Sequence, residues 1–144
     1  MTNTKQTTMS RSRLWTALGL WGPPAVLFVV IFALSSTPGN RFPEHPEIFN
    51  IVSHFVEFAL LAFLLARALA TVNGKNPWLL LIVTVSLCVI LGFMDELLQF
   101  TVPQRMFDLM DLFYDLLGAF TGTLLFLGWR KKPLTGQMES GDVT

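Results

Sequence analysis

The segment WLLLIVTVSLCVILGFMDELLQF, residues 78–100, decides the fold. Positions 78–94 hold no charged residue, and the end of the segment holds Asp95, Glu96 and Gln99. An apolar helix of about 20 residues crosses the hydrocarbon core of a bilayer. A charged side chain near mid-bilayer costs about 2.5–3.5 kcal/mol on insertion scales, so such residues face a bundle interior or a wet cavity and mark a functional site. The segment therefore reads as a transmembrane helix with polar chemistry at one end.

The rest of the chain fits that reading. Of its 144 residues, 52% are hydrophobic and 14% charged, with a mean hydropathy of +0.54. A soluble domain carries about 25% charged residues. The expected fold is all-α: an integral membrane bundle of four transmembrane helices, at 14–34, 50–72, 78–100 and 108–129. These form one domain, 14–130, between a polar, disordered tail at 1–13 and a second tail at 131–144. The first span is interrupted at Gly22-Pro23-Pro24. A kinked helix is one reading; an interfacial segment up to Trp21 with a shorter helix from Pro23 is another. A cleaved signal peptide is a third, with Arg11 and Arg13 as its basic region, but the apolar stretch is too long and lacks an A-x-A site. The breaker run Asn73-Gly74-Lys75-Asn76-Pro77 makes the second and third spans antiparallel neighbours. The lone Cys88 excludes an intrachain disulfide, and a net charge of zero gives no reason to expect a nucleic-acid partner.

Orientation follows from the basic residues. With four spans both termini share a side, which collects Lys5, Arg11, Arg13, Arg67, Lys75, Arg130, Lys131 and Lys132 against Arg41 and Arg105 on the other. That asymmetry predicts cytoplasmic termini in a cell membrane. His54, Glu57, Asp95, Glu96, Gln99, Arg105, Asp108, Asp111 and Asp115 then all fall at the outer end. Helix spacing groups them further: His54 with Glu57, Glu96 with Gln99, and Asp111 with Asp115, Gly118 and Gly122 along one stripe. The glycines of that stripe suit close helix packing in lipid.

Adjacent residues point about 100° apart on a helix, so Glu96 is expected to face the bundle and Asp95 to lie on its rim. Arg105 either clamps Glu96 or Asp111, joining the last two helices, or contacts a ligand phosphate or carboxylate. Asp108 is expected to be exposed or to cap the last helix. Arg67 reads as a snorkelling anchor, and Trp78 and Trp129 as anchors at the cytoplasmic interface.

These residues carry a resemblance. Glu96, Gln99, Pro103 and Arg105, followed by Asp111, Asp115, Gly118 and Gly122, resemble the E-x-x-Q-x-x-x-P-x-R and D-x-x-x-N-x-x-G-x-x-x-G patterns of the VanZ-like family of small bacterial membrane proteins. Asn50, Ile51, His54, Phe55, Glu57 and Phe58 take the places of that family's D-K-x-x-H-F-x-E-Y, and Ser35-Ser36 is similar to its serine pair. The resemblance covers 35–122. Asn50, Ile51, Phe58 and Asp115 depart from it. It implies a multi-pass membrane protein related to a factor of teicoplanin resistance, with no settled reaction.

The expected function is the binding of an amphiphile, a lipid-linked cell-envelope precursor or a lipoglycopeptide, in an outer-leaflet polar cleft. Its residues are His54, Glu57, Glu96, Gln99, Arg105, Asp111 and Asp115. The alternative is a membrane enzyme acting on a lipid headgroup by carboxylate acid–base chemistry. No catalytic residue, cofactor or oligomeric state is assigned. A His/Glu/Asp set can hold a divalent ion in principle, but no H-E-x-x-H spacing is present, so no metal is expected. A purely structural partner of another membrane protein is the remaining class.

Overall fold

The computed structural model describes residues 3–41, 46–73 and 76–130. Lys75, Lys131, Lys132, Pro43 and the tail at 131–144 lie outside the described residues. The described chain is all-helical: α1 (Asn3–Ser35), α2 (Glu47–Asn73), α3 (Pro77–Thr101) and α4 (Leu109–Arg130), with a short 3-10 turn at Gly39–Arg41. Each helix contains a stretch long and apolar enough to cross a membrane: Arg13–Ser35, Glu47–Val72, Pro77–Thr101 and Leu109–Arg130.

The helix ends have local causes. Asn76 caps α3, its side chain accepting from the N–H groups of Trp78 (3.0 Å) and Leu79 (3.2 Å), with Pro77 at the first helical position. Asp108 caps α4 through the N–H of Met110 (2.8 Å) and is exposed, so both of its expected roles hold together. At the end of α1 the hydroxyls of Ser36 and Thr37 donate back to the carbonyls of Phe32 (2.6 Å) and Ala33 (3.1 Å), and the Phe32 carbonyl also accepts the Ser36 N–H (3.1 Å).

α1 differs from expectation in where it starts. It begins at Asn3, so the helix occupies positions read from the sequence as a disordered tail. It also runs unbroken through Pro23 and Pro24. In an α-helix the carbonyl of residue 19 accepts from the N–H of residue 23, and a proline there has none. The Gly19 carbonyl instead accepts from Arg67 Nη2 of α2 at 2.6 Å. Arg67, read from the sequence as an anchor, thus supplies the donor that Pro23 lacks and ties α1 to α2.

α2 and α4 form the most extensive helix pair, and among the described helices α1 packs on α2 and α3. Glycine sets the α2–α4 contact. A Cβ at Gly118 would meet the Phe55 carbonyl oxygen, and one at Gly122 the Ala59 carbonyl oxygen. The backbones touch where side chains would otherwise stand, which is how helices associate closely in lipid. Below the polar end, Ile31, Phe58, Leu61, Ala62, Cys88 and Ala119 form the buried core, and Ala66, Leu80 and Phe126 continue it. Val26, Val29, Ile82, Ile90 and Leu125 face outward. Trp15, Trp78 and Trp129, all more than 60% exposed, mark the end opposite the polar residues.

Candidate functional site

The polar end is drawn together by its connections. The Gly39 N–H donates to the Pro103 carbonyl (3.3 Å), joining the α1–α2 loop to the α3–α4 connection. Against this roof the helices deliver their polar residues. His54, Asp95, Glu96, Gln99, Asp111 and Asp115 are all at most 7% exposed.

His54, one turn and more into α2, lies between two carboxylates of α4. Its Nδ1 is 3.0 Å from Asp115 Oδ1, and its Nε2 is 3.5 Å from Asp111 Oδ2. Asp111 and Asp115 are four apart, so one α4 face presents both to the imidazole. Asn50, one turn before His54, donates through Nδ2 to both oxygens of Asp111, at 2.8 and 3.0 Å. An amide at this position binds Asp111; the acid usual in the resembling pattern would face it with like charge. Asp115 has room because α3 offers Gly92 opposite it: a Cβ there would stand 2.7 Å from Asp115 Oδ2.

α3 contributes two carboxylates in two directions. Glu96 Oε2 accepts the Asp108 N–H at 2.9 Å, fastening α3 to the start of α4. Asp95 turns to α1, where Oδ2 accepts from Ser35 Oγ (2.7 Å) and from Gln99 Nε2 (3.1 Å). Asp95 is therefore not on the rim: it is 1% exposed. The end of α3 has a helix on each side, so both of its adjacent acids are covered.

Glu57 is half-buried beside this group, within electrostatic reach of His54, Asp95 and Asp115. Arg105 is also half-buried, and its Nε donates to the Thr37 carbonyl at 3.4 Å, a long contact. Glu96 accepts from the Asp108 N–H and Asp111 from Asn50. The structure thus unites His54, Glu96, Gln99, Asp111 and Asp115, sets Glu57 beside them, and places Arg105 in the roof. It adds Ser35, Asn50 and Asp95. The signal for Ser35 and Asn50 was their position in the resembling motifs; for Asp95 it was the four-residue spacing to Gln99.

The electrostatics are unbalanced. Asp95 Oδ1, Glu96 Oε1 and Asp115 Oδ2 are buried with no hydrogen-bond partner among the described residues. His54 pairs with two of the carboxylates, Asp111 and Asp115. The histidine and the α3 and α4 acids are buried, with Asp111 7% and His54 6% exposed, while Asn50 and Glu57 beside them are half-buried. One nitrogen of His54 and one oxygen each of Glu96 and Asp111 lie within 4.8 Å of one another. That cluster brings together the residue types that ligate divalent ions, from three different helices, where no linear spacing could show them.

A bundle of four membrane-crossing helices, closed at one end around buried acidic residues and a histidine, is the class of protein that fold and site define. The chain belongs to the VanZ/LLP1 family, whose pattern it matches over residues 3–130, all four helices included. No curated protein and no solved structure matches the chain.

Proposed function

We propose that this multi-pass membrane protein binds the polar headgroup of an amphiphile at the outer leaflet of the cell membrane. The amphiphile is a cell-envelope lipid or a lipoglycopeptide, in keeping with the teicoplanin-resistance role attached to the resembling family. The residues proposed to bind it are His54, Glu57, Glu96, Gln99, Arg105, Asp111 and Asp115. The observation that carries the reading is the position of the polar cluster: it lies at one end of the spans, directly above an apolar core. A headgroup at that depth meets acceptors while its chains stay in lipid. Asp111, His54 and half-buried Glu57 and Asn50 form its approachable edge. The basic residues gathered near the other end support an outward-facing site.

The His54–Asp115 contact supports a second reading. A carboxylate on Nδ1 orients an imidazole for proton transfer at Nε2, the arrangement of a general acid–base pair. An enzyme acting on a lipid headgroup would use it. Mass spectrometry of lipid carried through purification separates the two readings. Binding predicts an unchanged amphiphile that copurifies with the parent and is lost from the Glu96→Gln, Asp111→Asn variant. Turnover of an isoprenoid phosphate or phospholipid, abolished in that variant, supports the enzyme. The same lipid profile in parent and variant, with no turnover, contradicts both.

A further inference from the structure

We infer that His54, Glu96 and Asp111 form a binding site for one divalent transition-metal ion, zinc(II) or manganese(II), inside the bundle. The inference goes beyond headgroup binding and does not depend on it.

Three observations converge. The first is geometry. His54 Nε2 and Asp111 Oδ2 are 3.5 Å apart. Two ligands at about 2.1 Å from a tetrahedral ion stand about 3.4 Å from each other. A carboxylate oxygen of Glu96 lies within 4.8 Å of both partner residues' ligating atoms, so a small side-chain adjustment brings it into the shell.

The second is the surroundings of the ligands. Asp115 Oδ1 takes the Nδ1 side of His54 at 3.0 Å, which leaves Nε2 for the ion. A histidine ligand usually has its other ring nitrogen bound to a carboxylate or carbonyl in this way, which fixes its tautomer and raises its basicity. Asp111 is likewise held by Asn50, and Glu96 by the Asp108 N–H through Oε2. All three ligands are oriented by neighbours on α2, on α4 and at the residue that caps α4.

The third is unmet demand. Glu96 is 0% exposed, and its Oε1 has no hydrogen-bond partner among the described residues. Asp115 Oδ2 and Asp95 Oδ1 share that condition at 1% exposure. Buried carboxylates need protons, a paired cation or a metal. The groups facing the site are His54 and Glu57 from α2, Asp95, Glu96 and Gln99 from α3, and Asp111 and Asp115 from α4. That set holds five carboxylates, one imidazole and one neutral amide, with Arg105 in the roof beside them. One imidazole with two carboxylates suits zinc and manganese, and three protein ligands leave a position for water or a headgroup oxygen. The rival account is a protonated His54 bridging Asp111 and Asp115 with no ion between them.

The test uses the full chain, purified in detergent, stripped with a chelator and titrated with zinc(II) or manganese(II) alone. Bound metal is counted by elemental mass spectrometry, and the unfolding temperature is followed in parallel. The expected result is about one ion per chain with a higher unfolding temperature. His54→Gln, Glu96→Gln and Asp111→Asn should each abolish stoichiometric binding. Asp115→Asn, which acts through the histidine, should weaken binding about 10–100-fold. Glu47→Gln, exposed at the head of α2, should bind as the parent does. Variants are compared as monodisperse species, and Glu96→Gln decides the matter if His54→Gln does not fold. Failure of the parent to bind either ion would overturn the site, and so would full binding by Glu96→Gln or by the His54→Gln, Asp111→Asn variant.

Discussion

Single residues settle questions that the apolar pattern leaves open. Pro23 removes a backbone donor, and Arg67 replaces it at the Gly19 carbonyl. Arg67→Leu should therefore destabilise the protein by about 1 kcal/mol, because the exposed Gly19 carbonyl loses its hydrogen bond from α2. Arg67→Lys, which keeps a donor, should lose less. Thermal unfolding in detergent measures both, and parental stability in Arg67→Leu would show that α1 needs no such tie. Gly92 gives the second residue-scale prediction. A methyl group there meets Asp115 Oδ2, Leu112 and Phe58, so Gly92→Ala should cost about 1–3 kcal/mol through overpacking. It should also disturb the His54–Asp115 contact, visible as a shifted imidazole resonance. An unchanged resonance would mean that Asp115 has room elsewhere. The residue scale is also where sequence reading reached its limit. Helix spacing shows that Asp95 and Glu96 diverge, but not that a neighbouring helix waits on each side: Ser35 for one, Asp108 for the other.

At the scale of elements, legibility followed the strength of the local signal. Runs of apolar residues of membrane-spanning length, ended by Asn76-Pro77 and Asp108, located α2, α3 and α4 to within a few residues. The start of α1 was not legible, because a polar segment rich in Thr and Ser offers no apolar periodicity and no cap. The Gly19 carbonyl, which Pro23 leaves without its helical donor, is met by a side chain 48 positions away, which no local pattern reveals. The Gly118–Gly122 stripe was legible as a packing surface, although its partner, α2, was not. Gly122→Leu would drive a side chain into the Ala59 carbonyl and separate α2 from α4. It should lower membrane abundance and unfolding temperature more than Gly128→Leu, since nothing lies within 4 Å of a Cβ at Gly128. Equal stability of the two would contradict the close α2–α4 contact.

For the whole molecule, four spans with basic residues gathered near one end predict that both termini are cytoplasmic. Reporter fusions at Lys75 and Lys132 should read cytoplasmic, and one at Phe42 external; a cytoplasmic Phe42 would reverse the depth of the site. Shared depth made the polar cluster legible from sequence, since three spans place their acids at the same end. The burial of its histidine and acids was not, because burial depends on how α1 and the two connections cover them. The central claim is that this cluster is maintained for a ligand at the expense of stability. A buried carboxylate oxygen lacking a partner, as Glu96 Oε1 does among the described residues, disfavours the folded state, so neutralising Glu96 should not harm it. The direct test is the unfolding temperature of the Glu96→Gln variant against the parent, both stripped of lipid and metal. The account predicts a variant as stable as the parent or more so. A variant markedly less stable would show that the cluster serves to hold the helices together.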